Sequence, residues 1–216
     1  MKENTTRKEV KSFSAREMKI LSVILLVGAI VLPFSAKAET ISMTFTGVNG
    51  QIDHGYYIDP YMATVNGVGG TTIWCVDFNH QAHFGDTWTA YVTPLAAPTN
   101  YTYLHNLQKY EEMAWLIDRF SSQDPTNKAA MQWVIWDISS GQSHSGYHPP
   151  QYAYWLAQAR AHYADGSYAG WQILTDVSRK KQEFVVTQSV PEPTTLLLLG
   201  SGLAGLVGIT RRFRTS

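Results

Sequence analysis

Thr71-Thr72-Ile73-Trp74-Cys75-Val76-Asp77-Phe78 reads as a strand of a mainly β domain. The two-residue repeat of an extended chain sends Trp74, Val76 and Phe78 to one face and Ile73, Cys75 and Asp77 to the other. Residues 39–104 around it are rich in Thr, Val, Tyr and Gly. Turn pairs at Asn49-Gly50, Asn66-Gly67 and Gly69-Gly70 cut them into short apolar runs, the pattern of antiparallel strands. The period then changes. Leu107, Tyr110, Ala114, Ile117 and Phe120 recur at helix spacing. Asp124-Pro125 supplies an N-cap and a first-turn proline for a second helix running to about Ser139. A third helix is expected from Pro150 to Tyr163, stopping at Asp165-Gly166. Strands around Trp171–Val177 and Lys181–Gln188 return to the sheet. The expected fold is a mainly β (α+β) domain, an antiparallel sandwich or barrel, with a helical insertion at about 105–164.

The ends of the chain are of another kind. Residues 1–38 carry Lys2, Arg7, Lys8, Lys11, Arg16 and Lys19, then a largely apolar run from Ile20 to Phe34. Ala36-Lys37-Ala38 follows as a small-x-small cleavage site. This is the layout of a secretory signal peptide, which places the mature start near Glu39. At the other end, Val190-Pro191-Glu192-Pro193 precedes an apolar stretch to Ile209 and the basic Arg211-Arg212-Phe213-Arg214. Physically these are a rigid break, a marginal membrane span and a positive-inside stop. The three parts together resemble the PEP-CTERM sorting signal of Gram-negative bacteria. That resemblance implies an exosortase-type processing enzyme acting at Pro191, Glu192 and Pro193. It also implies contact with the membrane through the tail before processing, and a final place in the envelope, at the surface or in the extracellular matrix.

The segmentation is thus a signal peptide over 1–38, a domain over 39–189 and a sorting segment over 190–216. The chain's formal charge is zero overall, but the basic residues crowd into the ends. Between Glu39 and Val190 thirteen acidic residues face seven basic ones, a net of about −6. Duplex nucleic acid is bound through clustered positive charge, so nucleic acid is not an expected partner.

Cys75 is the single cysteine, in a chain built for export, where cysteines ordinarily pair. It is a passive core residue, an intermolecular linker or a reactive group. The second helix carries a polar residue in an apolar run, Ala129-Ala130-Met131-Gln132-Trp133-Val134-Ile135-Trp136-Asp137, with Gln132 on a face shared with Ala129, Ile135 and Trp136. A thiol and a carboxamide held together away from water can condense with loss of ammonia to a thioester, which an amine can later open. Trp74, Trp133 and Trp136 are candidate walls.

Trp74-Cys75-Val76 and Met131-Gln132-Trp133-Val134-Ile135-Trp136 resemble the aromatic-Cys-apolar and apolar-Gln-x-x-apolar-Trp motifs of bacterial surface thioester domains. Ala114-Trp115-Leu116-Ile117 fits the same pattern. The resemblance spans residues 72–138. It implies a Cys–Gln thioester and covalent attachment to an amine-bearing surface protein or matrix polysaccharide. No Gly-rich phosphate loop or paired-carboxylate motif stands out in the sequence, so neither a cofactor nor a turnover enzyme is expected. Two features depart from the resemblance. The sorting tail is Gram-negative in type, and Asp77 on the Cys75 face disfavours a thiolate. The acyl donor stays open between Gln132 and Gln188, the residue that ends the last strand-like run. A structural Cys and Gln remain the alternative, since free cysteine is commonly buried as a small apolar side chain.

Other chemistry is less specific. His80 and His83 follow the Cys75 strand and could move protons to or from the thiol, or be polar loop residues. A metal site joining them to His105, His144 or His148 lacks a recognised ligand spacing. A Cys-His-Asp hydrolase lacks the electropositive setting that a reactive cysteine favours. Seven Trp and twelve Tyr admit a second class of function, noncovalent binding of exopolysaccharide on aromatic platforms.

Overall fold

The computed structural model describes residues 38–98 and 100–188; the expected signal peptide and sorting segment lie outside the described residues. Six strands close into an antiparallel barrel: β1 (Thr40–Val48), β4 (Tyr61–Val65), β5 (Val68–Cys75), β6 (Thr87–Pro94), β7 (Gln172–Asp176) and β8 (Phe184–Val186). Their order round the barrel is β1-β4-β5-β8-β7-β6. Closure leaves none of the six with an unpaired edge. Register shifts at Phe45/Gly47 and Ala63/Val65 bend β1 and β4 into the curve. The short strands β2 (Ile52–Asp53) and β3 (Tyr56–Tyr57) form a separate hairpin.

Between β6 and β7 come three helices, α1 (Leu107–Phe120), α2 (Pro125–Ser140) and α3 (Tyr152–His162). Asn106 caps α1 by accepting from the Lys109 N–H at 3.1 Å. Asp124 does the same for α2 through Asn127 at 2.9 Å. The helix α2 ends at Gly141, whose φ of 69° suits glycine and whose N–H returns to the Asp137 carbonyl. No helix among the described residues is long and apolar enough to cross a membrane.

Alternation along the strands makes two cores. Ile41, Met43, Ala63, Val65, Ile73, Cys75, Ala90 and Phe184 point into one, and Ala129, Trp133 and Trp136 of α2 close onto it. Trp74, Ile173 and Val185 point the other way and are covered by Met113, Ile117, Met131, Val134 and Ile135 of the helices. The helix α2 touches both cores and is buried almost all round, as a helix apolar on every side must be. Glu183, just before β8, fastens the insertion to the barrel. Its buried carboxylate accepts from the Thr175 and Tyr110 hydroxyls and the Tyr103 N–H. Burial pushes its carboxyl above the ordinary range.

The expected mainly β domain with a helical insertion is thus a barrel and not a sandwich. Three local expectations change. Gly69-Gly70 lies inside β5, because Asn66-Gly67 already makes the turn, with both residues at positive φ. The strand ends at Cys75, so the alternation does not reach Phe78, which packs against the Cys75 core instead of sharing Trp74's surroundings. Ile135 turns toward the helices and not toward the core that Trp136 enters.

Candidate functional site

Cys75 is the last residue of β5. It pairs with Phe184 of β8 and is 2% exposed. Its thiol donates to the Asp77 carbonyl at 3.3 Å. Gln132, 3% exposed on α2, donates its carboxamide N–H to the Cys75 carbonyl at 3.0 Å. The two motifs, 57 residues apart in sequence, therefore meet side chain to backbone at one buried point. Gln188 is exposed beyond β8, and the structure does not bring it together with Cys75.

Burial is the main reason that the Cys75 thiol is pushed up to about 12, and the nearby Asp77 charge adds to it. Hydrogen bonding at the Asp77 backbone and the polar N–H of the nearby Trp136 pull the other way. The resting group is a neutral thiol. The Asp77 carboxylate is engaged elsewhere: it accepts from the Asn79 N–H at 2.8 Å and meets His80 Nδ1 at 2.7 Å.

Aromatic rings enclose the pair. Trp133 and Trp136 sit edge to face, 4.9 Å apart, and Phe78 lies 5.4 Å from Trp136. Trp74 is not part of this wall. It faces the helical core and packs on Phe120 at 5.0 Å, which follows from its being one residue from Cys75 in a strand. Its place is taken by residues that the sequence reading did not single out. Tyr56 of the β2–β3 hairpin lies 5.5 Å from Trp133 and 5.8 Å from Trp136. Tyr147 stacks on Trp133 at 5.0 Å with an 18° tilt. The hairpin is tied down by Asp53, which accepts from the Trp133 indole N–H at 2.7 Å, and by Gln51, which donates to the Pro125 carbonyl. The available signal was His54-Gly55, both at positive φ, the two-residue turn that joins adjacent strands.

A cavity of about 270 Å³ opens beside the site, lined by Tyr56, Tyr61, Phe78, His80 and Trp136 among others. His80 also borders a smaller cavity of about 120 Å³ with Asp77, Tyr103 and Glu183. A cavity of about 450 Å³ lies elsewhere, between Lys109, Asp137, Tyr152 and Arg160. His144 and His148 converge on Asp137, at 2.5 and 2.8 Å, and not on His80 or His83. His83 lies near Asp86, and His105 at the start of the insertion is exposed. Among the described residues no three His, Cys, Asp or Glu side chains group as a metal site.

The PEP-CTERM protein-sorting motif matches residues 189–212. The chain therefore carries this motif, which marks exported proteins sorted to the cell surface and handled by exosortase-type machinery. The fold is similar to the N-terminal thioester domain of fibronectin-binding protein SfbI from Streptococcus pyogenes. The TM-score is 0.43 at 11% identity, over 73% of this chain and 97% of that one. It is also similar to the N-terminal thioester domain of a surface protein from Clostridium perfringens, with a TM-score of 0.45 at 6% identity, over 70% of this chain and 100% of that one. No curated protein matches the chain.

Proposed function

We propose that this surface-sorted domain forms an internal thioester between Cys75 and Gln132 and uses it to attach covalently to an amine-bearing partner. The observation that carries the reading is the hydrogen bond from the Gln132 carboxamide to the Cys75 backbone, inside a site sealed by Trp133 and Trp136. The bond holds the reacting side chain at the strand that bears the thiol, and such positioning supplies much of an acyl-transfer barrier. In the forming step the Cys75 sulfur attacks the carboxamide carbon, the C–N bond breaks, and the thiol proton leaves with the nitrogen as ammonia. In the capture step an amine attacks the same carbon, the C–S bond breaks, and the sulfur regains a proton from the amine. The product is one amide per molecule, a stoichiometric attachment without turnover.

The test is the intact mass of the purified protein. It is expected one ammonia below the sequence value, with the deficit absent in Cys75→Ala and in Gln132→Ala. Loss of the deficit in Gln188→Ala but not in Gln132→Ala would reassign the acyl donor. A full mass, with Cys75 free, removes the reading.

A second reading, noncovalent capture of a matrix polysaccharide, is favoured by Tyr56 and Tyr57, which line the 270 Å³ cavity while 37% and 43% exposed. Binding that Cys75→Ala retains and Tyr57→Ala abolishes selects it.

A further inference from the structure

Trp136 is 1% exposed, and its indole N–H has no hydrogen-bond partner among the described residues. Buried indole N–H groups usually find one. Trp133 and Trp155 do, on Asp53 and Asn127. Trp88 and Trp115 also bury an unpartnered N–H, but neither is carried by the helix that holds Gln132. Trp136 stands four residues after Gln132, one turn along the same face of α2, and packs in the same core as Cys75. It is also the indole whose N–H pulls the Cys75 thiol toward ionisation, although it makes no completed hydrogen bond at rest.

A donor left unsatisfied at rest, in the core that holds the atom where charge develops during reaction, can lower a barrier without stabilising the ground state. We propose that the Trp136 indole N–H is a catalytic donor to the Cys75 sulfur, stabilising the thiolate character that develops when the Cys75–Gln132 thioester forms and when an amine opens it. The inference rests on the thioester reading and adds the group that makes the exchange fast. In the opening step the amine nitrogen bonds to the acyl carbon and the C–S electron pair passes to sulfur. The indole N–H then donates to that sulfur until a proton from the attacking amine neutralises it. Because the surroundings are dry, a single donor there counts for more than it would in water. The same residue thus has two separable parts, a ring that excludes water and an N–H that serves the leaving group.

Trp136→Phe separates them, since it keeps a ring and removes the donor. In the full-length protein, methylamine opening of the thioester is followed by the appearance of a titratable thiol and by mass. The expected result is a thioester still detectable in Trp136→Phe, a cooperative unfolding transition retained and an opening rate about 100-fold slower, the size typical of one lost donor. An unchanged rate in a folded Trp136→Phe overturns the proposal and leaves the thioester reading intact. A wild-type protein without the mass deficit overturns both. Should Trp136→Phe fail to fold, benzothienylalanine incorporated at position 136 decides, since it keeps the fused ring and lacks the N–H. The same slowing of methylamine opening is expected, and an unchanged rate overturns the proposal.

Discussion

Cys75 is held as a neutral thiol, and this gives its ionisation a measurable sign. Its folded value, about 12, lies above the ordinary 9.0. Below pH 9.0 the thiol is neutral in folded and unfolded chains alike, and the stabilising contribution is complete. As pH rises from there toward 12, the unfolded chain ionises and the folded one does not, so stability falls by about 1.4 kcal/mol per pH unit. The comparison that isolates this group is Gln132→Ala, whose thiol is free, against the double variant Cys75→Ala/Gln132→Ala. Denaturant titrations from pH 8 upward should show the steeper alkaline loss in the single variant alone; equal slopes would mean that the thiol is not sequestered. Buried Tyr110, whose hydroxyl is also raised by burial, contributes the same background to both, whereas buried Tyr61 is raised further by the Cys75 charge and so titrates differently in the double variant. At this scale the sequence was partly legible. A lone exported cysteine and a glutamine in an apolar helix are visible as residue types. Whether they meet depends on β5 and α2 packing together, which no local pattern encodes. Trp74 shows the converse. It adjoins Cys75 in sequence, and for that reason faces away from it.

At the scale of elements, the helices were legible because their signals are local: Asp124-Pro125 marks a start, and Gly141 closes a run in a left-handed turn. The β2–β3 hairpin was not, because two-residue strands carry no periodicity to detect. Yet that hairpin supplies Tyr56 to the site wall, and Asp53 is its anchor. Asp53→Ala leaves the Trp133 N–H without its acceptor, a loss of about 1–3 kcal/mol. In a domain of this size that lowers the unfolding midpoint by about 2–4 °C per kcal/mol. If the hairpin keeps water from the acyl bond, spontaneous hydrolysis in Asp53→Ala should also quicken, read as faster loss of the one-ammonia mass deficit. A lowered midpoint with unaltered hydrolysis would show that the hairpin stabilises the barrel without sealing the site. Trp136→Ala removes the ring and the N–H together, so its loss of wall is read against Trp136→Phe, than which it should hydrolyse faster.

At the scale of the whole molecule, the sorting motif over residues 189–212 and the acidic domain before it perform different physical tasks. The apolar run after Pro193 has the composition of a segment that a bilayer would retain, and Arg211, Arg212 and Arg214 follow it in the order of a positive-inside stop. For Pro191, Glu192 and Pro193 we propose a different use, as the part of the matched motif that a processing enzyme reads. Retention and recognition can therefore be separated by two variants expressed in a host that carries the processing machinery. Deleting residues 191–216 removes both, and the domain should appear in the medium as soluble protein. Replacing Pro191, Glu192 and Pro193 by alanine leaves the apolar run and the arginines in place. That protein should stay membrane-bound and keep the mass of the unprocessed tail. Wild-type processing of the alanine variant would mean that the Pro-Glu-Pro segment is not what the enzyme reads. An unchanged cellular distribution after the deletion would mean that the tail does not govern sorting. In both variants the Cys75–Gln132 mass deficit should persist, because neither element of that site extends past residue 140.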